Sequence, residues 1–216
     1  MELLESIAKN LENGEDEKVL ELTKKAIEQK VPPQEILDNG LIAGMNVVGG
    51  RFKNHDIFLP EVLLAAKAMY AGMDELKPLM IEKGIQSIGK VVIGSVRGDL
   101  HDIGKNLVGI MLKGSGFEVI DLGNDVAPDK FIETAEKEGA SVIGMSALLT
   151  TTMSVMKEVV DLLMERGLSG KVRTIVGGAP ISSDFAKDIG ADAHGFDGVN
   201  AVEEVKRLCL KASWKE

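Results

Sequence analysis

The sequence predicts an α+β protein of two domains. A helical bundle occupies residues 1–86, and an α/β domain with a five-stranded parallel sheet occupies residues 87–216. Two observations predict it. Before residue 90 the apolar residues recur at helical spacing and no strand signal is present. Beyond residue 90, short β-rich runs alternate with amphipathic helical segments. That alternation implies a parallel sheet covered on both faces.

The helical half reads in order. Leu3, Leu4, Ile7 and Leu11 form the first stripe, and Asn13-Gly14 ends it, with Gly suited to the left-handed position past a helix end. A second helix starts at Asp16 and carries Val19, Leu20, Leu22, Ala26 and Ile27. Pro32-Pro33 stops it and opens a third, because proline is disfavoured inside helices and accepted in the first turn. The third helix carries Ile36, Leu37, Leu41, Met45 and Val48, and residues 49–56 read as a polar loop. Pro60 heads a fourth helix with Val62, Leu63, Ala66, Met69, Tyr70 and Met73. Short turns between four helices predict an antiparallel bundle. Residues 84–87 are the predicted hinge.

In the second half the predicted strands lie at 91–96, 118–122, 141–146 and 173–177, with a weak one at 191–194. The predicted helices lie at 103–113, 128–138, 151–166, 182–189 and 200–210. This order predicts a flavodoxin-like Rossmann fold. No Gly-x-Gly-x-x-Gly follows the first strand, which argues against a dinucleotide fingerprint there.

Composition narrows the function. The chain has 216 residues, 44% of them hydrophobic, and a formal net charge of -9. That charge argues against nucleic acid, whose binding surfaces are basic, and against an anionic membrane surface. No apolar run approaches the ~20 residues that span a bilayer. The N-terminus is acidic and lacks the basic start of a signal peptide, so the expected location is cytoplasmic. The single cysteine, Cys209, excludes an internal disulfide and falls on the last predicted helix.

The stretch Gly98-Asp99-Leu100-His101-Asp102-Ile103-Gly104 joins the first strand to the first helix of the α/β domain. Ligands of open parallel sheets bind beyond the carboxyl ends of the strands. An imidazole with one nitrogen free is a metal ligand, and its other nitrogen usually donates to a carboxylate. Asp99 is close enough to serve. A lone His cannot build a zinc site, which takes three or four protein ligands. The pattern points to a metal already held by a macrocycle and lacking one axial ligand. The plainer reading is a helix N-cap beside an exposed His.

Asp99-x-His101-x-x-Gly104 resembles the cobalamin-binding signature of the methionine synthase family and its corrinoid-protein relatives. The later parts of that signature, Ser-x-Leu and Gly-Gly, are matched by Ser146-Ala147-Leu148 and Gly177-Gly178. Forty-one residues (105–145) separate the first piece from the second, and twenty-eight (149–176) separate the second from the third. The resemblance extends to Phe58-Leu59-Pro60-Glu61-Val62 and Met69 in the first half. It is closest to the small corrinoid proteins of anaerobic methyltransferase systems.

The resemblance implies a cobalamin cofactor bound with its own base displaced. His101 is then the lower cobalt ligand, and Asp99 and Thr152 form a relay with it. Thr152 stands where methionine synthase has Ser. Asp102, Ile103, Gly104, Ser146, Leu148, Thr150, Gly177 and Gly178 line the cofactor, and Met69 belongs to a helical cap. The plainer readings are an N-cap hydroxyl for the threonines, a strand-end hydroxyl for Ser146, a strand-to-helix turn for Gly177-Gly178 and core packing for Met69. The implied function is a methyl carrier, a carrier subunit rather than a complete enzyme. Its implied partners are a substrate-specific methyltransferase, a second methyltransferase delivering to tetrahydrofolate or a thiol, and a reductive activase. The alternatives are the cobalamin-binding subunit of an adenosylcobalamin-dependent mutase, a cobalamin sensor, and a flavodoxin-like domain for another ligand.

Overall fold

The computed structural model describes residues 2–83 and 87–212. Of the predicted hinge, residues 84–86 lie outside the described residues. The chain divides into two compact units, Met1–Ser87 with Gly114–Gly116, and Ile88–Lys113 with Phe117–Glu216.

The first unit is helical throughout. Helix α1 (Glu2–Glu12) buries Leu4, Ile7 and Leu11, the spacing of one helix face. Gly14 takes φ +73 in the turn that follows, where a Cβ would lie 2.7 Å from Cβ of Leu64. Helix α2 (Asp16–Glu28) begins with Asp16 and Glu17, whose charges suit a helix N-terminus. Helix α3 (Pro33–Ile36) starts on a first-turn proline and runs on through a π-helical stretch, Leu37–Ile42, into α4 (Ala43–Lys53). Helix α5 (Leu59–Glu82) closes the unit. α2 packs along α5, and α1 packs on α2 and α4. Ile7, Leu11, Val19, Ile36, Leu41, Met69 and Leu76 are fully buried.

One boundary differs from the sequence expectation. Residues 49–53, expected in a loop, continue α4. Glycine inside a helix costs roughly 0.5–1 kcal/mol relative to alanine. Here burial of Val48 and Gly49 offsets that cost.

The second unit is a parallel sheet between two helical layers. Its strands are β1 (Lys90–Ser95), β2 (Glu118–Asp121), β3 (Val142–Ser146), β4 (Arg173–Gly177) and β5 (Ala193–Gly195). They lie in the order β2-β1-β3-β4-β5. Successive side chains of a strand face opposite ways. Val92, Ile143 and Val176 accordingly face α7 (Pro128–Glu138) and α8 (Met153–Glu165). Val91, Ile93, Val142 and Ile175 face α6 (Ile103–Gly114) and α10 (Gly198–Ala212). A short helix, α9 (Ser183–Asp188), precedes β5. Gly94 admits the fully buried Phe131, whose ring atoms would lie 2.9 Å from a Cβ there.

Strand order reverses direction between β1 and β3. The carboxyl edge at such a switch point is the usual ligand position in sheets of this kind.

Candidate functional site

Two loops meet at that edge. The first leaves β1, passes through Gly98 at φ +84, and delivers Asp99 and His101. The Gly98 N–H donates to Oδ1 of Asp125 at 2.7 Å, and the Asp99 N–H donates to the Val96 carbonyl at 3.0 Å. The second loop leaves β3 and carries Leu148, Leu149 and Thr152 into α8.

Asp99 is fully buried and is the hub. Its Oδ1 accepts the N–H of His101 at 3.0 Å and lies 2.9 Å from Nδ1 of the same residue. Its Oδ2 accepts the N–H of Leu148 at 2.7 Å and of Leu149 at 3.2 Å. Oγ1 of Thr152 lies 2.9 Å from Oδ2 and also 2.9 Å from the Leu149 carbonyl, so its one proton serves either acceptor. Burial alone would raise the carboxyl pKa. The N–H groups of Leu148 and His101, the imidazole and the Thr152 hydroxyl outweigh burial and hold it well below the usual carboxylate range.

An ionised carboxylate beside Nδ1 places the ring proton on Nδ1. In the neutral ring Nε2 then presents its lone pair. The His101 side chain is 51% exposed while its carboxylate partner is 0% exposed. The pair therefore has a fixed buried end and an open end.

Four large apolar residues of the two loops are exposed. Leu100 and Ile103 are strongly exposed beside His101, and Leu148 and Leu149 are half-exposed on the second loop. The Asp102 carbonyl accepts the Asn106 N–H at 2.7 Å and starts α6. At Gly104, in the first turn, a Cβ would meet nothing within 4 Å.

The other residues singled out in the sequence fall into place unevenly. Ser146 ends β3 in register with Ser95 of β1 and Gly177 of β4, and Gly177 pairs with Gly195 of β5. Gly177 and Gly178 are needed by the backbone itself. A Cβ on Gly177 would lie 2.9 Å from the Gly195 carbonyl oxygen. Gly178 has φ +130, and a Cβ there would lie 1.9 Å from the Ala147 carbonyl oxygen. Thr152 is the N-cap residue of α8, yet its hydroxyl makes no capping bond and turns to Asp99 instead. Thr150 is exposed. Met69 is buried on α5 in the helical unit.

Sequence pattern did not reveal the supports of the loop. Ser95 is fully buried and donates to the His101 carbonyl at 2.7 Å. Lys105, whose side chain is 3% exposed, donates to both carboxylate oxygens of Asp121 at 2.6 and 2.7 Å and to Oδ1 of Asn106 at 2.6 Å. A buried lysine in a helix's first turn is written in the sequence only as one more charge. No group of three His, Cys, Asp or Glu side chains is placed to hold a bare metal ion among the described residues.

Two family models match the chain. One, described as a B12 binding domain, matches residues 89–206, and a second of the same description matches residues 3–77. The chain belongs to the B12-binding corrinoid proteins. Cobalamin is the cofactor that this membership brings. A dimethylamine corrinoid protein of Methanosarcina barkeri is 46% identical over 208 residues, covering 96% of this chain and 97% of the relative. The methanol:cobalamin methyltransferase complex of Methanosarcina barkeri matches with a TM-score of 0.86 at 34% identity, over 97% of this chain and 80% of that one. A cobalamin-binding protein of Desulfitobacterium hafniense matches with a TM-score of 0.78 at 30% identity, over 95% and 98%. As in those corrinoid proteins, a helical region is followed by a Rossmann-like domain with a five-stranded parallel sheet. Among the described residues no helix is long and apolar enough to cross a membrane.

Proposed function

We propose that this corrinoid protein carries a methyl group between two methyltransferases, with Nε2 of His101 as the lower ligand of cobalt and the cofactor's own base displaced. The observation that supports this best is the Asp99–His101 pair, buried at the carboxylate and open at Nε2. The donor set fits a corrinoid. It offers one free imidazole nitrogen and, among the described residues, no cluster for a bare ion, which would suit a metal already held by a macrocycle. The apolar residues Leu100, Ile103, Leu148 and Leu149 suit the underside of a macrocycle, and the space above Gly104 suits its close approach.

When bound, the corrinoid supplies a cobalt centre that accepts a methyl group and gives it up. The chain's residues position that centre. Asp99 keeps the proton on Nδ1 and so keeps Nε2 a ligand rather than a donor. Thr152 and the N–H groups of Leu148 and Leu149 keep Asp99 ionised. Ser146, Gly177 and Gly178 lie at the carboxyl edge where the displaced nucleotide tail would run, and Asp102 and Thr150 complete the proposed cofactor set of this unit.

The proposed partners are a substrate-specific methyltransferase that would supply the methyl group, a second methyltransferase that would pass it to tetrahydrofolate or a thiol, and a reductive activase. The similarity to a dimethylamine corrinoid protein and to a methanol:cobalamin methyltransferase complex favours this reading over a mutase subunit or a sensor.

Electron paramagnetic resonance of the protein loaded with cob(II)alamin tests the ligand. Growth on 15N-histidine should change the nitrogen superhyperfine splitting, and His101→Ala should remove it. Splitting that ignores the label and survives in His101→Ala would sink the ligation.

A further inference from the structure

We propose that Ser95 is a positioning residue that sets how firmly His101 meets the cofactor's metal. The inference rests on the reading of His101 as lower ligand. Ser95 closes β1, a strand otherwise made of Val91, Val92, Ile93 and Gly94, with Lys90 at its start. It is fully buried. A hydroxyl buried in such company costs free energy unless it is hydrogen-bonded. Its partner is the carbonyl of His101, at 2.7 Å.

That contact completes a clamp. The His101 N–H and ring Nδ1 both reach Oδ1 of Asp99. The carbonyl of the same residue is held by Ser95 from the strand. The ligand residue is thus tied at both backbone ends and at one ring nitrogen, leaving Nε2 as its free terminus. A pull on a metal along Nε2 is resisted by the strand through Ser95 and by the second loop through Asp99.

Ser95 is itself fixed. Its N–H donates to the Gly123 carbonyl at 2.9 Å, and its carbonyl accepts the Val126 N–H at 3.0 Å. Gly123 is held in turn by Oδ1 of Asp121 at 2.9 Å, the carboxylate that Lys105 grips from α6. The hydroxyl therefore projects from a rigid base, which is what a positioning group requires.

The test uses full-length protein loaded with cob(II)alamin at one pH and temperature. The ratio of imidazole-ligated to imidazole-free forms is read by electron paramagnetic resonance, and the midpoint potential for reduction is read by spectroelectrochemistry. Ser95→Ala should lower the ratio roughly two- to tenfold, the range of one neutral hydrogen bond, and should make reduction easier. Ser95→Thr keeps the hydroxyl and should restore both. Thermal melts of the cofactor-free variants accompany them, since a merely structural serine would change the melt and leave ratio and potential alone. A Ser95→Ala ratio equal to the parent's, with His101→Ala losing its signal, overturns the inference and leaves the ligation intact. An unchanged signal in His101→Ala overturns the ligation and the inference with it. If Ser95→Ala does not fold, Ser95→Cys, which keeps the volume and weakens the hydrogen bond, carries the same comparison.

Discussion

Oδ1 of Asp99 lies 2.9 Å from Nδ1 of His101, and the carboxylate also draws on the second loop through Leu148, Leu149 and Thr152. One side chain thus couples the loop after β1 to the loop after β3. It is what makes the carboxyl edge one site rather than two neighbouring loops.

Asp99→Asn keeps the shape and removes the charge. The amide NH2 must then face groups that are themselves donors. A buried donor left without an acceptor costs about 2–3 kcal/mol. Urea denaturation of the cofactor-free protein, followed by circular dichroism, should show a loss of that size. The ligated fraction in cob(II)alamin-loaded protein should fall as well.

That loss depends on pH with a definite sign. The folded-state carboxyl titrates below its unfolded value of about 4. Its stabilising contribution is whole above that value and fades as pH falls through the folded one. The difference between parent and Asp99→Asn should be constant from pH 6 to roughly pH 5 and shrink steadily towards about pH 2. A difference that fails to shrink between about pH 4 and pH 2 would contradict the network.

Two glycines should separate folding from binding. Gly178→Ala places a Cβ on φ +130 and against the Ala147 carbonyl, with a cost of about 3 kcal/mol. Its melting temperature should drop sharply. Gly104→Ala meets nothing within 4 Å and should gain up to about 1 kcal/mol from helix propensity. Its cobalamin retention on gel filtration should nonetheless fall, because the methyl group occupies space proposed for the corrin.

Asp121→Asn leaves the Lys105 ammonium buried without a full counter-charge. The Asp121 side chain is 38% exposed, so breaking this half-buried pair from one side should cost about 1–3 kcal/mol. Lys105→Met, which removes the charge and keeps the volume, should cost less. Thermal melts of the two cofactor-free variants check the order, and equal losses would point to packing alone.

Cys209 on α10 is the chain's single cysteine, and burial pushes its thiol pKa up. Iodoacetamide at pH 8 should modify it slowly in the native protein and quickly in urea. Equal rates in the two conditions would mean the thiol is open to solvent.

Sequence periodicity was enough for the elements because each helix has one apolar face and the central strands are apolar on both. Leu4, Ile7 and Leu11 read as a helix, and Val91 to Ile93 as a buried strand, without a partner in view. The exception is residues 49–53, where two glycines read as a loop and burial kept the helix going. Asp99 and His101 were legible for a similar reason, since they sit two residues apart in one loop.

The order of residues along the chain determined the alternation of strands and helices, and with it the edge where the motif residues gather. Tertiary structure alone decided that Ser95 reaches His101 across six positions and that Lys105 is buried against Asp121. Periodicity reports which face of an element is apolar. A hydrogen bond between loops depends on where two strand ends come to rest in the sheet, and no local pattern carries that distance.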